Sequence, residues 1–229
     1  MSREEKGTSK KQYYMVFDGT FRTKVDQDHP EAKARINKND KQVFEKEVRA
    51  LFGFIQNVYF EPSDYGEQLK IELDENEEGK IPVLSFGVES KDGRDVLRKL
   101  PGIDFTKEVR IMPYRFSPED KEIAGISITQ QDEAEKFTIK IENFFFDKAE
   151  KKYLYEFPII DWDNASTSEQ KIYKIKRDEY LVNYTKNNII PKFQDAQWVK
   201  KNAVPHIPKT AADTGVEYPK NDLPPITEF

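Results

Sequence analysis

The sequence predicts a mainly β fold with an additional helix near the C-terminus, and three observations support this prediction. Aromatic residues make up 13% of the 229 residues, including 16 Phe and 11 Tyr, and such residues favour strands. Short β-prone segments separated by turn residues recur as far as about residue 146. A helical spacing of apolar residues occurs only after them, and a proline-rich stretch ends the chain.

The first strands are predicted to form a hairpin. Residues 1–12 are polar and charged, so we expect a flexible arm there. Residues 13–25 are β-prone on both sides of Asp18-Gly19, a dipeptide typical of two-residue hairpin turns. A polar connection at residues 26–41 is expected to follow the hairpin.

Two features predict the shape of the central strands. Gly53 interrupts a long β-prone stretch, and the missing side chain lets a strand bend or bulge there. Leu69 and Leu73 alternate with Lys70 and Glu72, so the leucines are expected in the core and the charged residues on the opposite face. The later strands are predicted at residues 43–60, 68–73, 81–88, 109–116, 123–130 and 136–146, and 153–160 is a candidate for one more.

A short helix is predicted between the third and fourth of these strands. It covers residues 93–100 and is stopped by Pro101-Gly102. Three strands, a short helix and two more strands is the order of the five-stranded oligonucleotide-binding (OB) barrel. We therefore predict an OB-like five-stranded barrel domain with extra strands over residues 13–160, with other small barrels and sandwiches as alternatives.

The C-terminal third is predicted to differ from the barrel. Residues 161–199 form a helical appendage, in which the helical pattern covers 168–190 with an N-cap among residues 166–168 and Pro191 just beyond the end. Residues 200–229 contain five prolines and few large apolar residues. Such a composition is typical of a flexible tail.

Enzymatic function has little support in the sequence. The chain has no cysteine and only two histidines, His29 and His206, neither of which lies in a metal-binding spacing. Phosphate-binding loops, nucleophile elbows and dinucleotide fingerprints are also missing, so we expect a protein that is not an enzyme and needs no cofactor or metal. Asp161 and Asp163 are the remaining candidates, as carboxylates of a metal-dependent nuclease or a glycan-active enzyme.

The sequence also predicts a cytoplasmic location without membrane association. No apolar run approaches the roughly 20 residues that a membrane-spanning helix needs, and residues 1–12 lack the apolar segment of a signal peptide. The lack of cysteine is compatible with a reducing compartment.

Charge is segregated along the chain although the formal net charge is −5. Residues 61–79 contain eight acidic residues and one basic residue, whereas residues 91–115 contain seven basic and four acidic ones. This separation predicts a basic groove with acidic material elsewhere, and a mixed solvated surface is the alternative interpretation.

Rings and cations on one sheet face would bind single-stranded nucleic acid, because bases stack on the rings while cations neutralise phosphates. Tyr114, Arg115 and Phe116 combine both on one predicted strand. Aromatic residues on strands usually pack in a core, so some of these rings are expected to be structural. The candidate DNA-binding residues are Arg22, Arg35, Lys38, Lys41, Tyr59, Tyr65, Lys70, Phe86, Arg94, Arg98, Lys99, Tyr114, Arg115 and Phe116.

The last residues, 221–229, end in Pro-Pro-Ile-Thr-Glu-Phe and resemble the acidic C-terminal tip of bacterial and phage single-stranded DNA-binding proteins. That resemblance implies that the tip binds replication and repair partners, with the terminal ring in a pocket and its carboxylate on a basic residue. The tip here has two acidic residues, fewer than is typical of that family. The expected partner-binding residues are Asp222, Ile226, Glu228 and Phe229.

Four internal segments carry a second resemblance. Residues 34–39, 53–55, 65–69 and 100–105 look like parts of single-stranded DNA-binding proteins from Bacteroidetes-infecting, crAss-like phages. The resemblance implies a protein that coats exposed strands during phage DNA replication, recombination or repair in the host cytoplasm. A homo-oligomer is compatible with this role. The alternative is a structural or adaptor protein, such as a virion or tail component, which uses a barrel or sandwich for protein contacts.

Overall fold

The computed structural model describes residues 10–37, 40–118, 122–134 and 136–194. Strands dominate among them and the long helix lies near the C-terminal end, which confirms the mainly β class with a C-terminal helix. The strands form sheets of seven, four and two strands. These sheets are not closed barrels, so the predicted barrel is corrected to open sheets.

The described elements comprise thirteen strands and three α-helices. A short 3-10 helix, Leu100–Gly102, follows the first α-helix directly. In chain order the elements are β1 (Lys10–Phe17), β2 (Thr20–Lys24), β3 (Lys33–Ile36), β4 (Gln42–Val48), β5 (Leu51–Gly53), β6 (Ile55–Ser63), β7 (Gly66–Leu73), β8 (Lys80–Gly87), α1 (Lys91–Lys99), β9 (Val109–Phe116), β10 (Ile123–Gln130), β11 (Ile139–Lys140), β12 (Phe146–Asp147), β13 (Lys152–Tyr153), α2 (Thr167–Asn188) and α3 (Ile190–Gln194).

The seven-stranded sheet has the order β3-β4-β2-β1-β8-β7-β6, with β1 in the middle. The predicted turn at Asp18-Gly19 is confirmed, and both residues have positive φ, as a type I′ hairpin turn requires. β1 is antiparallel to β2 but parallel to β8. Its pairing with β8 begins at Lys10, so residues 10–12 belong to the sheet.

One segment of the predicted polar connection is a strand. Within residues 26–41, β3 pairs antiparallel with β4, and Arg35 lies beside Val43. The expectation of a simple connection there was wrong because β3 is polar and lies at the edge of the sheet. An edge strand needs only one neighbour and need not show an apolar pattern.

The consecutive strands β5 and β6 connect the two larger sheets. β5 pairs with β9 in the four-stranded sheet, whose order is β11-β10-β9-β5, whereas β6 pairs with β7. Gly53 ends β5 with φ of +147°, and the Phe54 amide after it donates a hydrogen bond of 2.8 Å to the Asp74 carboxylate. The predicted change of direction at Gly53 is therefore confirmed, and it moves the chain from one sheet to the other.

A single hydrophobic core connects the sheets and the helices. Leu69 and Leu73 of β7 are fully buried in it, as predicted, together with Ile111 of β9. Leu97 of α1 and Leu181 of α2 belong to the same cluster. The C-terminal helix thus packs on the core of the sheets.

The segment after β10 is less regular than predicted. The predicted strand at 136–146 is limited to the short β11 and the start of β12, and the candidate at 153–160 is limited to Tyr153. Phe145 explains the difference, since its ring is fully buried among aromatic rings that include Phe157 and Tyr184. Aromatic residues favour strands, so this segment looks like a strand in the sequence. Here its rings pack into a cluster, and its backbone forms few strand hydrogen bonds.

The predicted helix is confirmed as α2. Ser166 is its N-cap and forms a capping box with Glu169. The helix packs through Tyr173, Arg177 and Leu181, among others, and it ends before α3, which contains Pro191. No described helix has the length and hydropathy needed to span a membrane.

Candidate nucleic-acid interface

The seven-stranded sheet has a second face opposite the core, which we call the outer face. Side chains alternate along a strand, so Leu69 faces the core while Lys70 faces the other way. The strand register places Ser85 of β8 beside Lys70, and Met15 of β1 beside Ser85. Lys70, Ser85 and Met15 therefore lie on the same outer face.

Three large side chains form an exposed row on this face, along the middle strand β1. Tyr13 is 46% exposed, Met15 49% and Phe17 53%. Tyr14, between the first two, is buried in the core. Exposed apolar side chains are common singly, but a contiguous row on a central strand indicates a binding surface.

The sequence analysis did not include these three residues among the DNA-binding candidates, whose aromatic members all lie later in the chain. The signal is present as the period-two spacing of Tyr13, Met15 and Phe17. The spacing shows that they share a face, but only the strand pairing shows that this face points away from the core.

Cations lie close to the rings of the outer face. The guanidinium carbon of Arg22 is 3.9 Å from the centroid of the Phe17 ring. The Lys70 ammonium is 5.4 Å from the centroid of Tyr13, and the Lys11 ammonium is 5.6 Å from that of Tyr59. These distances fall within the range of cation–π attraction, so the positive charges are held next to the aromatic surface.

Lys70 is the most firmly positioned of these cations. It is only 6% exposed, and its ammonium donates hydrogen bonds of 2.8 Å to both Gln68 and Ser85. Glu61 lies 3.4 Å from it. These three polar partners hold the Lys70 ammonium in a fixed position next to the Tyr13 ring.

Tyr59, one of the candidate DNA-binding residues, lies on the outer face and is half-buried there. Burial, reinforced by the neighbouring Glu72 carboxylate, raises the pKa of Tyr59 to about 12. Glu72 also pairs with Lys11, and that hydrogen bond raises the pKa of Lys11. The phenol is therefore neutral and the ammonium charged at neutral pH.

The β3–β4 side of the outer face is an ion-pair network. Arg35 donates hydrogen bonds of 2.9 and 2.6 Å to the two oxygens of Glu45, and Arg22 donates one of 2.9 Å to Glu47. Lys33 donates a further hydrogen bond of 2.7 Å to Glu47. Two predicted cations, Arg22 and Arg35, are therefore already paired with carboxylates.

The outer face has more basic than acidic residues. On the seven strands of the sheet, the described side chains of this face include six cations and four carboxylates. This balance is opposite to the formal net charge of −5 of the chain. The residues concerned are Lys11, Arg22, Lys24, Lys33, Arg35 and Lys70, with Glu45, Glu47, Glu61 and Glu72.

The three basic residues of α1 among the DNA-binding candidates contact other parts of the protein. Arg94 contacts Asp178 of α2 at 3.2 Å, and Lys99 donates a hydrogen bond of 2.5 Å to the Ile126 carbonyl of β10. Arg98 is half-buried beside Phe157, and burial lowers its pKa. These contacts hold α1 against its neighbours. A run of charges along the chain does not form one basic surface here, because the side chains of a helix point in different directions and these three pack against other elements.

Phe86 is likewise removed from the candidate surface. Its ring is buried in the core and meets Phe21 edge to face, with centroids 6.5 Å apart. β8 directs every second residue into the core, and Phe86 is one of them. Its role is packing.

The remaining candidates are more dispersed. Tyr114 and Phe116 share one side of β9 with ring centroids 6.0 Å apart, while Arg115 pairs with Asp18 at 3.0 Å. Tyr65 is exposed in the turn between β6 and β7. Lys41 is exposed before β4, and Lys38 lies outside the described residues.

No alternative metal centre is found in the described part of the chain, where no three His, Cys, Asp or Glu residues are grouped to hold an ion. Asp161 accepts hydrogen bonds from the Asp163 amide and the Asn164 side chain in the turn before α2.

No protein-family model, curated protein or solved structure matches the chain. The expected tail residues 222–229 lie outside the described residues.

Proposed function

We propose that this protein binds single-stranded DNA on the outer face, without catalysing a reaction. The observation that carries the proposal is the exposed row of Tyr13, Met15 and Phe17, flanked by Lys70 and Arg22. Unpaired bases stack on such rings, and nearby cations neutralise the strand that joins them.

The strand order supports an OB-like interpretation of the open sheets. β6, β7 and β8 are followed by α1 and then by β9 and β10, which is the succession of the five OB strands and their helix. OB folds bind oligonucleotides on the second and third strands and the loop before them. In this interpretation, Lys70 of β7 and Tyr65 in the preceding turn would correspond to those binding positions.

The biological role that we propose is protection of exposed strands in phage DNA replication, recombination or repair. It relies on the resemblance to phage single-stranded DNA-binding proteins. Recruitment of partner proteins by the C-terminal tip belongs to the same proposal, and it rests on the sequence of residues 221–229 alone.

A protein interface is the second candidate function. Met15 in the centre of the row and the net charge of −5 favour it, because methionine and exposed apolar area are typical of protein contacts. A structural or adaptor protein would use the same face for another protein chain.

Titration of the protein with labelled oligo-dT at two salt concentrations separates the two functions. DNA binding predicts saturable association with quenched tyrosine fluorescence, weaker affinity at the higher salt and little binding of duplex. Lack of saturable binding at micromolar protein, with self-association or capture of another protein through the outer face, would favour the adaptor.

A further inference from the structure

An open cleft of about 370 Å³ adjoins the outer face at the end of the exposed row. It lies between the β1–β2 turn, the strand β9 and the start of α1. Phe17 belongs both to the row and to the cleft, so a strand lying on the row can reach the cleft without leaving the protein surface. The lining residues that bear on its chemistry are Phe17, Asp18, Asp92, Tyr114 and Arg115.

The walls of the cleft are closely packed. A side chain at Gly19 would come within 2.8 Å of the Arg115 backbone nitrogen, so the turn lies directly against β9. Arg115 donates to Asp18 at 3.0 Å and lies 3.5 Å from Glu122. The cation of the cleft is therefore held by two carboxylates, neither of which is Asp92.

Of the two carboxylates that line the cleft, Asp18 pairs with Arg115, and Asp92 forms no ion pair with a described residue. It lies in the first turn of α1 and is half-buried, and no described residue donates a hydrogen bond to its carboxylate. Burial, followed by repulsion from Asp95, raises its pKa, against a smaller attraction from Arg115 and Lys91. A partly desolvated carboxylate without donors gains free energy when a ligand supplies them.

The chemistry of a carboxylate selects among the bases. It accepts hydrogen bonds through two oxygens and donates none when ionised. The Watson–Crick edge of guanine has two adjacent donors, N1–H and the N2 amino group, which match those oxygens. Cytosine and adenine each place an amino group beside an acceptor nitrogen, and thymine places its N3–H between two carbonyls, so each brings an acceptor towards the carboxylate.

We infer that this cleft holds one unpaired guanine, with its N1–H and N2–H donating to Asp92 and its ring beside Phe17 and Tyr114. This inference deepens the proposed function and rests on it. It gives a coating protein a local base preference, since proteins that bind single strands read the Watson–Crick edge of splayed bases.

Competition binding tests the inference with three oligonucleotides of equal length. The first is all thymine, the second has one central guanine, and the third has inosine there, which lacks only the N2 amino group. We expect the guanine oligonucleotide to bind about tenfold more tightly than the thymine one, as a bidentate contact to a base provides. Inosine should lose most of this gain, because one of the two donors is missing.

The variant Asp92→Asn should bind the guanine and thymine oligonucleotides equally and keep the wild-type affinity for thymine. Asp163→Asn is the matched control, since Asp163 is an exposed aspartate in the turn before α2, and it should keep the guanine preference. Equal binding of guanine and thymine oligonucleotides by the wild type would overturn the guanine site and leave the proposed function standing. Failure to bind any of the three would overturn both.

Discussion

Tyr13 and Tyr14 are adjacent residues with the same side chain and opposite environments. Tyr13 is exposed on the outer face beside Lys70, whereas Tyr14 is buried and donates a hydrogen bond of 3.0 Å to Gln12. Burial raises the pKa of Tyr14 to about 12. Alternation along one strand thus separates a residue available for binding from a residue needed for folding.

The Glu45–Arg35 pair predicts how stability depends on pH. Hydrogen bonds from Arg35 lower the pKa of Glu45 from 4.5, so the ionised carboxylate stabilises the folded state above that value. The stabilisation is lost as the pH falls through the folded-state pKa. We expect Glu45→Gln to unfold at lower urea concentration than the wild type at pH 7, with a difference that shrinks as the pH falls below 4.5.

Urea unfolding measured across that pH range checks this prediction. Glu31→Gln is a suitable control, because Glu31 is exposed and no described residue pairs with its carboxylate. A Glu45→Gln difference that stays constant with pH would show that the pair adds no charge-dependent stability.

Single-residue roles could be predicted from the sequence only in part. Lys70 was placed on the correct face, because its alternation with Leu69 is visible in the sequence, whereas the face of Tyr59 follows only from its pairing with Lys70. Phe86 was assigned to binding, although it is a core residue, and Phe17 was missed. Alternation divides a strand into two faces, but the partners of the strand decide which face is covered.

At the scale of secondary-structure elements, the chain moves between sheets where β5 gives way to β6. Gly53 takes a conformation that other residues rarely adopt, and a side chain there would meet the Asp74 carboxylate at 2.2 Å. That carboxylate also accepts the Phe54 amide. The glycine and the hydrogen bond together fix the angle between the two sheets.

Gly53→Ala is therefore expected to destabilise the fold by about 1 to 3 kcal/mol from backbone strain alone, with an additional cost from the clash. Gly66→Ala is the matched control, since Gly66 also has positive φ, at +98°, but has open space around it. Urea unfolding of both variants measures the difference. If Gly53→Ala cost no more than Gly66→Ala, the contact with Asp74 would not hold the bend.

Elements with strong local patterns were predicted closely. β9 and β10 begin and end at the predicted residues, and the helix α2 starts at a cap identified in the sequence. The parallel pairing of β1 with β8 could not be predicted, because its partners are about 70 residues apart and no local pattern specifies them. The same pairing places the exposed row in the middle of the sheet.

For the whole molecule, the distribution of charge over surfaces matters more than its distribution along the chain. The basic run at residues 91–115 is largely used in contacts between elements, such as those of Arg94 with Asp178 of α2 and of Lys99 with the Ile126 carbonyl of β10. The basic excess of the outer face is assembled instead from strands that lie far apart in the sequence, including Lys11 and Lys70. A protein with net negative charge can thus present a face on which basic residues outnumber acidic ones.

The most direct test of this account is the binding of oligo-dT to a variant in which Tyr13 and Phe17 are both replaced by alanine. Each stacked base contributes about 1 to 3 kcal/mol, so we expect at least a roughly tenfold loss of affinity. Ile175→Ala is the control, because Ile175 is similarly exposed but lies on α2, away from the outer face; it should bind as the wild type does. Unchanged affinity of the double variant, with its fold intact by circular dichroism, would contradict the assignment of the outer face to DNA.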